Sequence, residues 1–170
     1  MESIKIILLS IAAATAYGIV HDQITARICV EYFTIGHPPI FGTEDPTLLG
    51  LGWGIIATWW VGLFLGVPAA VVARGGSWPK RDAHWLLKPI SFLMAVSACG
   101  AILAGLAGWW LASQNLVHLV GPLAEKVPPE KHVPFLIDGF AHSASYGFGF
   151  VGGIVLMACI LRSRQNEAAR

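Results

Sequence analysis

The chain has 170 residues, a length that suits one domain. Hydrophobic residues make up 55% of it and charged residues only 12%, whereas an ordinary soluble domain has about 25% charged residues. This composition, with a mean hydropathy of +0.65, excludes a water-soluble enzyme and an intrinsically disordered chain. A net charge of +1 provides no basic surface for nucleic acid. We therefore predict a small all-α integral membrane protein.

Four apolar segments predict four transmembrane helices, because a hydrocarbon core about 30 Å thick needs about 20 apolar residues in a helix. In chain order, the predicted helices cover residues 4–34, 47–73, 90–111 and 139–161. The apolar part of the first helix spans only residues 6–21, so we expect His21 and Asp22 at the bilayer edge. The rest of that helix would extend outside the membrane. We expect residues 1–170 to form a single domain, a compact four-helix bundle.

Stripes of small residues indicate that these helices pack closely, because helices in lipid associate mainly through van der Waals contact. Spacings of four or eight residues separate Gly62 from Gly66, Gly100 from Gly108, and Gly149 from Gly153. The same stripes suit either a monomeric bundle or a homo-oligomer, and the sequence leaves both open.

The distribution of Lys and Arg predicts the orientation, since cytoplasmic loops are enriched in these residues. They are concentrated in the middle loop and in the tail: Arg74, Lys80, Arg81, Lys88, Arg162, Arg164 and Arg170. We therefore expect both termini in the cytoplasm. The location we expect is a bacterial inner membrane, with the first and third loops on the periplasmic side.

Histidines and carboxylates gather at the predicted outer end of the bundle. Five of the six histidines map there: His21, His37, His118, His132 and His142. Imidazole and carboxylate together suit zinc, iron, manganese or copper. Asp138 and His142 are also spaced i, i+4, which places them on one helix face. The candidate metal ligands are His21, Asp22, Glu31, His37, Asp138 and His142, with His118 as a further candidate.

Several of these residues also have a purely structural interpretation. Asp138 would suit an N-cap of the fourth helix, where a carboxylate accepts backbone N–H bonds. Arg27 and Glu31 are spaced as an i, i+4 surface ion pair. The sequence leaves both interpretations open beside the metal site.

The segment Asp22-Gln23-Ile24-Thr25 is similar to the Asp-Gln-x-Thr/Ser-Lys segment of lipoprotein signal peptidase. That resemblance implies a membrane aspartyl protease with cytoplasmic termini, an outer site, and Asp138 in the region of one catalytic aspartate. The family's Asn-x-Gly-Ala-Ala-Phe segment is absent, and residues 112–118 replace its Gly-Asn-x-x-Asp-Arg segment. The chain is therefore not assigned to this family. Motifs of zincins, P-loop proteins and α/β-hydrolases are also absent.

Three functions remain compatible with the sequence. The favoured hypothesis is a metal-dependent membrane enzyme or redox protein with its polar site on the periplasmic side. A haem-b electron carrier would use two facing histidines as axial ligands. A non-enzymatic transporter or ligand-binding subunit of a membrane complex would use the same polar site for binding. The expected partners are the lipid bilayer, a lipophilic small molecule or further copies of the chain, and no nucleic acid.

Overall fold

The computed structural model describes residues 1–170, and all of its regular structure is helical. In chain order the α-helices are α1 (Glu2–Ile28), α2 (Val30–Thr34), α3 (Pro46–Ile56), α4 (Trp59–Arg74), α5 (Ala83–Ser113), α6 (Pro122–Lys126) and α7 (His132–Ala168), with a 3-10 helix at Pro129–Lys131.

Four helical segments are long and apolar enough to cross a membrane. They are Glu2–Ile28, Pro46–Arg74, Ala83–Ser113 and Pro129–Ala168. Large apolar side chains cover their outward faces; Phe64, Phe92 and Leu103 are each more than 60% exposed. Such surfaces are compatible with lipid rather than water. The structure therefore supports an integral membrane protein with four possible spans.

The second span consists of two helices where the sequence predicts one continuous helix over 47–73. The helical bonding is interrupted at Ala57 and Thr58, between α3 and α4. The Tyr146 hydroxyl of α7 donates to the carbonyl oxygen of Ala57 at 3.2 Å. A donor from a neighbouring helix thus satisfies a backbone group that the interruption leaves unpaired, which makes the break tolerable in lipid.

A second interruption separates the first helix from a short helical extension, where the sequence predicts one continuous helix over 4–34. Cys29 takes an extended conformation with φ −147°, and α2 begins at the next residue. Gly36-His37-Pro38-Pro39 follows and contains no α-helix, as the breaker residues predict. At the other end of the chain, α7 begins at His132, seven residues before the predicted start at 139.

Glycines set the close helix contacts that position the site. A Cβ on Gly54 of α3 would lie 2.5 Å from Ile19 Cα of α1, so the two backbones touch at this point. Gly100 and Gly108 of α5 instead accommodate the rings of Phe148 and Phe140 from α7. Helix α1 thus packs on α3 and α4, while α5 packs on α7.

An apolar cluster closes the end of the bundle at which both termini lie, here called the terminal end. Ile6 of α1 and Ile160 of α7 are fully buried in it together with Leu86 of α5. Nearby, the guanidinium of buried Arg164 donates to the carbonyl oxygens of Pro79, Val72, Gly75 and Trp78. These contacts hold α7 against the loop after α4. Their placement on the cytoplasmic side remains a prediction from the Lys and Arg distribution.

Candidate metal site

The candidate metal site joins two residues of α1 to one residue of α7. One ligand atom from each of His21, Asp22 and His142 lies within 4.8 Å of the others, and we call these three residues the ligand group. Asp22 is 5% exposed and His142 is 9% exposed. Ionisable groups buried within a membrane-spanning segment are costly, and they usually serve a function.

The protonation of His142 follows from its hydrogen bonds. Its Nδ1 lies 2.8 Å from the backbone carbonyl oxygen of Asp138, which can only accept, so Nδ1 carries a hydrogen. Its Nε2 lies 3.2 Å from Asp22 Oδ1. In the neutral imidazole this nitrogen has a lone pair that faces the carboxylate. A cation bound by both atoms would stabilise this contact.

His21 supplies the third ligand atom. Its Nδ1 lies 3.4 Å from Ser145 Oγ, which in turn lies 2.7 Å from the Tyr17 hydroxyl. Its Nε2 is buried and has no hydrogen-bond partner. A proton between Asp22 and His142 leaves this nitrogen unsatisfied, whereas one metal ion would satisfy all three residues. The hydroxyl on Nδ1 is the kind of outer hydrogen bond that orients a metal-binding histidine.

The side chains of the ligand group could hold a metal ion. Metal–ligand distances of about 2.0–2.2 Å in a tetrahedral site separate ligand atoms by roughly 3.3 Å. The 3.2 Å between His142 Nε2 and Asp22 Oδ1 matches this separation. Two histidines and one carboxylate leave coordination positions open for water or substrate, as in zinc hydrolases and in non-haem iron enzymes. The donor set does not single out one ion.

An aromatic cover lies over the ligand group, formed by Tyr32, Phe33, His37 and Trp53. The Tyr32 ring lies 4.6 Å from the His142 ring, and the His37 ring lies 4.6 Å from the Trp53 ring. His37 Nδ1 donates to the carbonyl oxygen of Tyr32 at 2.8 Å. Burial lowers the pKa of His37 and raises the pKa of Tyr32. Both side chains therefore favour their neutral forms.

His37 thus lies near the ligand group without belonging to it. The sequence indicated this residue as a ligand, and we did not predict from it that α2 folds back over the site. The adjacent Tyr32-Phe33 pair, in an extension that was expected to reach into water, was the available signal for a packed cover.

Asp138 is fully buried one turn before His142, and neither of its carboxylate oxygens has a hydrogen-bond partner. The N-cap interpretation of this residue is wrong, because α7 begins at His132 and Asp138 lies inside the helix. Its backbone carbonyl positions His142, while its side chain lies outside the ligand group.

The side chain of Glu31 does not belong to the ligand group. Its carboxylate pairs with Lys131 at 3.1 Å and accepts a hydrogen bond from Cys29 Sγ at 3.4 Å. The expected Arg27–Glu31 pair is wrong, since Arg27 instead bonds Gln23 and Thr47. The interruption at Cys29 removes the helical register that this pair required.

His118 lies in the exposed loop after α5 and does not join the ligand group.

No protein-family model, no curated protein and no solved structure matches this chain.

A cavity of about 140 Å³ continues from the ligand group into the bundle. Its wall includes Tyr17, Met94, Ser97 and Gly149. It ends at Ala69 and Ile90, two residues of the apolar cluster at the terminal end. The polar groups of the site thus border an apolar space.

Proposed function

We propose that the protein is a membrane metalloenzyme that holds one divalent transition metal ion on His21, Asp22 and His142. The observation that carries the proposal is the convergence of these side chains, with the lone pair of His142 Nε2 facing Asp22 and His21 Nε2 unpartnered. Such an ion would act as a Lewis acid or activate a bound water. The chain's own residues would orient the ligands and exclude bulk water.

A haem-b carrier fits this geometry poorly. Two axial histidines hold a haem between them, one on each face of the macrocycle. The ring centroids of His21 and His142 are only 4.5 Å apart and the rings meet edge to face, so no macrocycle fits between them. His118 is exposed in the loop after α5 and is not part of the ligand group, so the structure does not pair it with His21 or His142.

Metal analysis of the purified protein tests the proposal. After incubation with zinc, iron(II), manganese or copper and removal of excess ion, we expect one ion per chain by mass spectrometry. The double variant His21→Ala/His142→Ala should retain none. A matched double variant, His84→Ala/His118→Ala, removes two exposed histidines and should retain the ion. Equal metal content in both double variants would contradict the proposal, and a Soret band in the wild type would replace it with a haem protein.

We further propose that the site faces the periplasm of a bacterial inner membrane. The support is the concentration of Lys and Arg in the middle loop and the tail. In a variant without the three natural cysteines, a membrane-impermeant thiol reagent applied to intact cells should label Glu125→Cys. It should label Asn166→Cys only after the cells are opened. The reverse pattern would invert the orientation.

A further inference from the structure

The cavity beside the ligand group has the size of one small ring compound. Its volume of about 140 Å³ is close to the roughly 150 Å³ of an apolar cavity that accepts one benzene molecule. Asp22 is the only carboxylate in its wall and belongs to the ligand group, and no Lys or Arg lines the cavity. A molecule that occupies the rest of the space is therefore compact and uncharged.

The wall formed by α4 and α5 is almost entirely apolar. Helix α4 contributes no polar side chain to it, and α5 contributes only one, that of Ser97. The apolar side chains from these two helices are Val61, Leu65, Ala69, Ile90, Leu93 and Met94. Contact with such a wall favours a ligand with an apolar body, because burial removes its surface from water.

The Ser97 hydroxyl is the exception in this wall. The residue is 1% exposed, and its Oγ has no hydrogen-bond partner. Ser10 and Thr58 also line the cavity, but each donates to the backbone carbonyl oxygen four residues earlier. A buried hydroxyl without a partner is costly, so a polar group of a bound molecule at this position would stabilise the protein.

An organic hydroxyl suits this position better than a water molecule does. A buried water needs about two to four polar partners. The Tyr17 and Ser145 hydroxyls already bond each other at 2.7 Å, and the Tyr146 hydroxyl donates to a backbone carbonyl oxygen. Ser97 therefore offers one polar contact beside apolar side chains, which matches one hydroxyl group on an apolar ring.

Open space lies at the depth of Ser97, beside Gly149 of α7. A Cβ on Gly152 would meet Leu93, which lies one turn before Ser97 on α5. Since α5 and α7 run in opposite directions, Gly149, about one turn before Gly152, lies level with Ser97. A Cβ on Gly149 meets no atom within 4 Å, and this residue lines the cavity.

We infer that the cavity binds one small uncharged ring compound with a single hydroxyl group, whose ring lies beside Gly149 and whose O–H donates to Ser97 Oγ. Phenol has this size and this chemistry. The inference goes beyond the proposed metal centre and does not require the ion.

Two glycines of α7 provide a matched pair of variants that test the space. Gly149→Leu places its side chain in the cavity, because nothing else surrounds its Cβ. A Cβ on Gly147 also meets no atom within 4 Å, but this residue is exposed on the bundle surface. Gly147→Leu is therefore the control for the same substitution in the same helix.

A second pair of variants tests the hydrogen bond. Ser97→Ala removes the hydroxyl and keeps the space, and it leaves no other group unpaired because Ser97 Oγ has no partner within the protein. Ser143→Ala alters an exposed serine of α7 and is its control.

The measurement is equilibrium dialysis of radiolabelled phenol and toluene against the full chain in phosphatidylcholine nanodiscs, with a chelator present. Toluene has the shape of phenol with a methyl group in place of the hydroxyl, and empty nanodiscs correct for partition into lipid. We expect both molecules to saturate at one per chain. Gly149→Leu should weaken both affinities about tenfold or more, since the filled space no longer buries the ring. Gly147→Leu should leave them unchanged.

Ser97→Ala should lower the affinity for phenol relative to toluene by about three- to tenfold, the usual effect of one hydrogen bond. Ser143→Ala should leave this ratio unchanged. Absence of saturable phenol binding above empty nanodiscs would overturn the inference, and so would equal affinities in the two leucine variants. An unchanged ratio in Ser97→Ala would overturn the assigned chemical class. Because the chelator removes metal ions, none of these results depends on the proposed metal centre.

Discussion

His142 Nε2 lies 3.2 Å from Asp22 Oδ1, across 120 residues of sequence and between two helices, α1 and α7, that otherwise touch little. Because the Asp138 carbonyl fixes the hydrogen of His142 on Nδ1, the facing nitrogen is free to bind a metal ion. The same contact joins α1, which packs on α3 and α4, to α7, which packs on α5.

Removing either member of this pair should therefore destabilise the metal-free protein. Asp22→Ala and His142→Ala each leave the other polar side chain buried without its partner. We expect each substitution to lower the unfolding free energy by about 3–5 kcal/mol. The double variant should cost less than the sum, with a coupling of about 0.5–3 kcal/mol. Unfolding in detergent mixtures with a chelator present measures all three values.

The exposed ion pair Lys5–Glu2 is the control for this comparison of single and double variants, because its residues are three positions apart on one helix surface. Its coupling should be far smaller than that of the buried pair, because solvent and salt screen exposed charges. Strictly additive costs for Asp22 and His142 would show that the two side chains do not interact.

Ser145 should strengthen metal binding without touching the ion. Its hydroxyl connects His21 Nδ1 to the Tyr17 hydroxyl and so orients the imidazole. We expect Ser145→Ala to weaken metal affinity about 10- to 100-fold, as removal of such supporting hydrogen bonds generally does. Titration with a competing chelator measures the affinity. Ser143→Ala alters an exposed serine two residues away and should leave it unchanged; equal losses in the two variants would exclude the orienting role.

His37 should make the stability depend on pH. Burial lowers its pKa below the value of about 6.5 in the unfolded chain, so the unfolded state binds more protons in mildly acidic solution. The contribution of His37 is fully present above about pH 6.5 and declines as the pH falls below it. Melting temperatures measured across this range should fall more steeply for the wild type than for His37→Gln.

The groups that face His37, namely Asp22 and His142, are present in both of these proteins, so the difference between the two curves isolates His37. His84→Gln, which alters an exposed histidine, should follow the wild-type curve. Parallel curves for wild type and His37→Gln would contradict the assignment.

Gly54 should tolerate no side chain. Its Cβ would lie 2.5 Å from Ile19 Cα and 2.6 Å from Ile19 N, and these backbone atoms cannot rotate away. Gly54→Ala must separate α3 from α1, and we expect a loss of about 1–3 kcal/mol in unfolding free energy. Gly147→Ala meets open space and should stabilise its helix by about 0.5–1 kcal/mol. Similar effects of the two substitutions would show that the close approach at Gly54 is unimportant.

The sequence alone determined the four apolar segments and most of the residues from which the site is built. Hydropathy and helix length are local properties, so the spans at Glu2–Ile28 and Ala83–Ser113 could be anticipated. The spacing of Asp138 and His142 likewise placed them on one face of a helix before any packing was known.

Only the tertiary structure decided which candidates meet. His21, Asp22 and His142 converge, while Glu31 pairs with Lys131 and His37 joins the aromatic cover. The choice depends on how each helix is rotated and where it is interrupted. Contacts between distant residues, such as Gly54 against Ile19, set that rotation, and neither they nor the interruption at Cys29 leaves a signal in local periodicity.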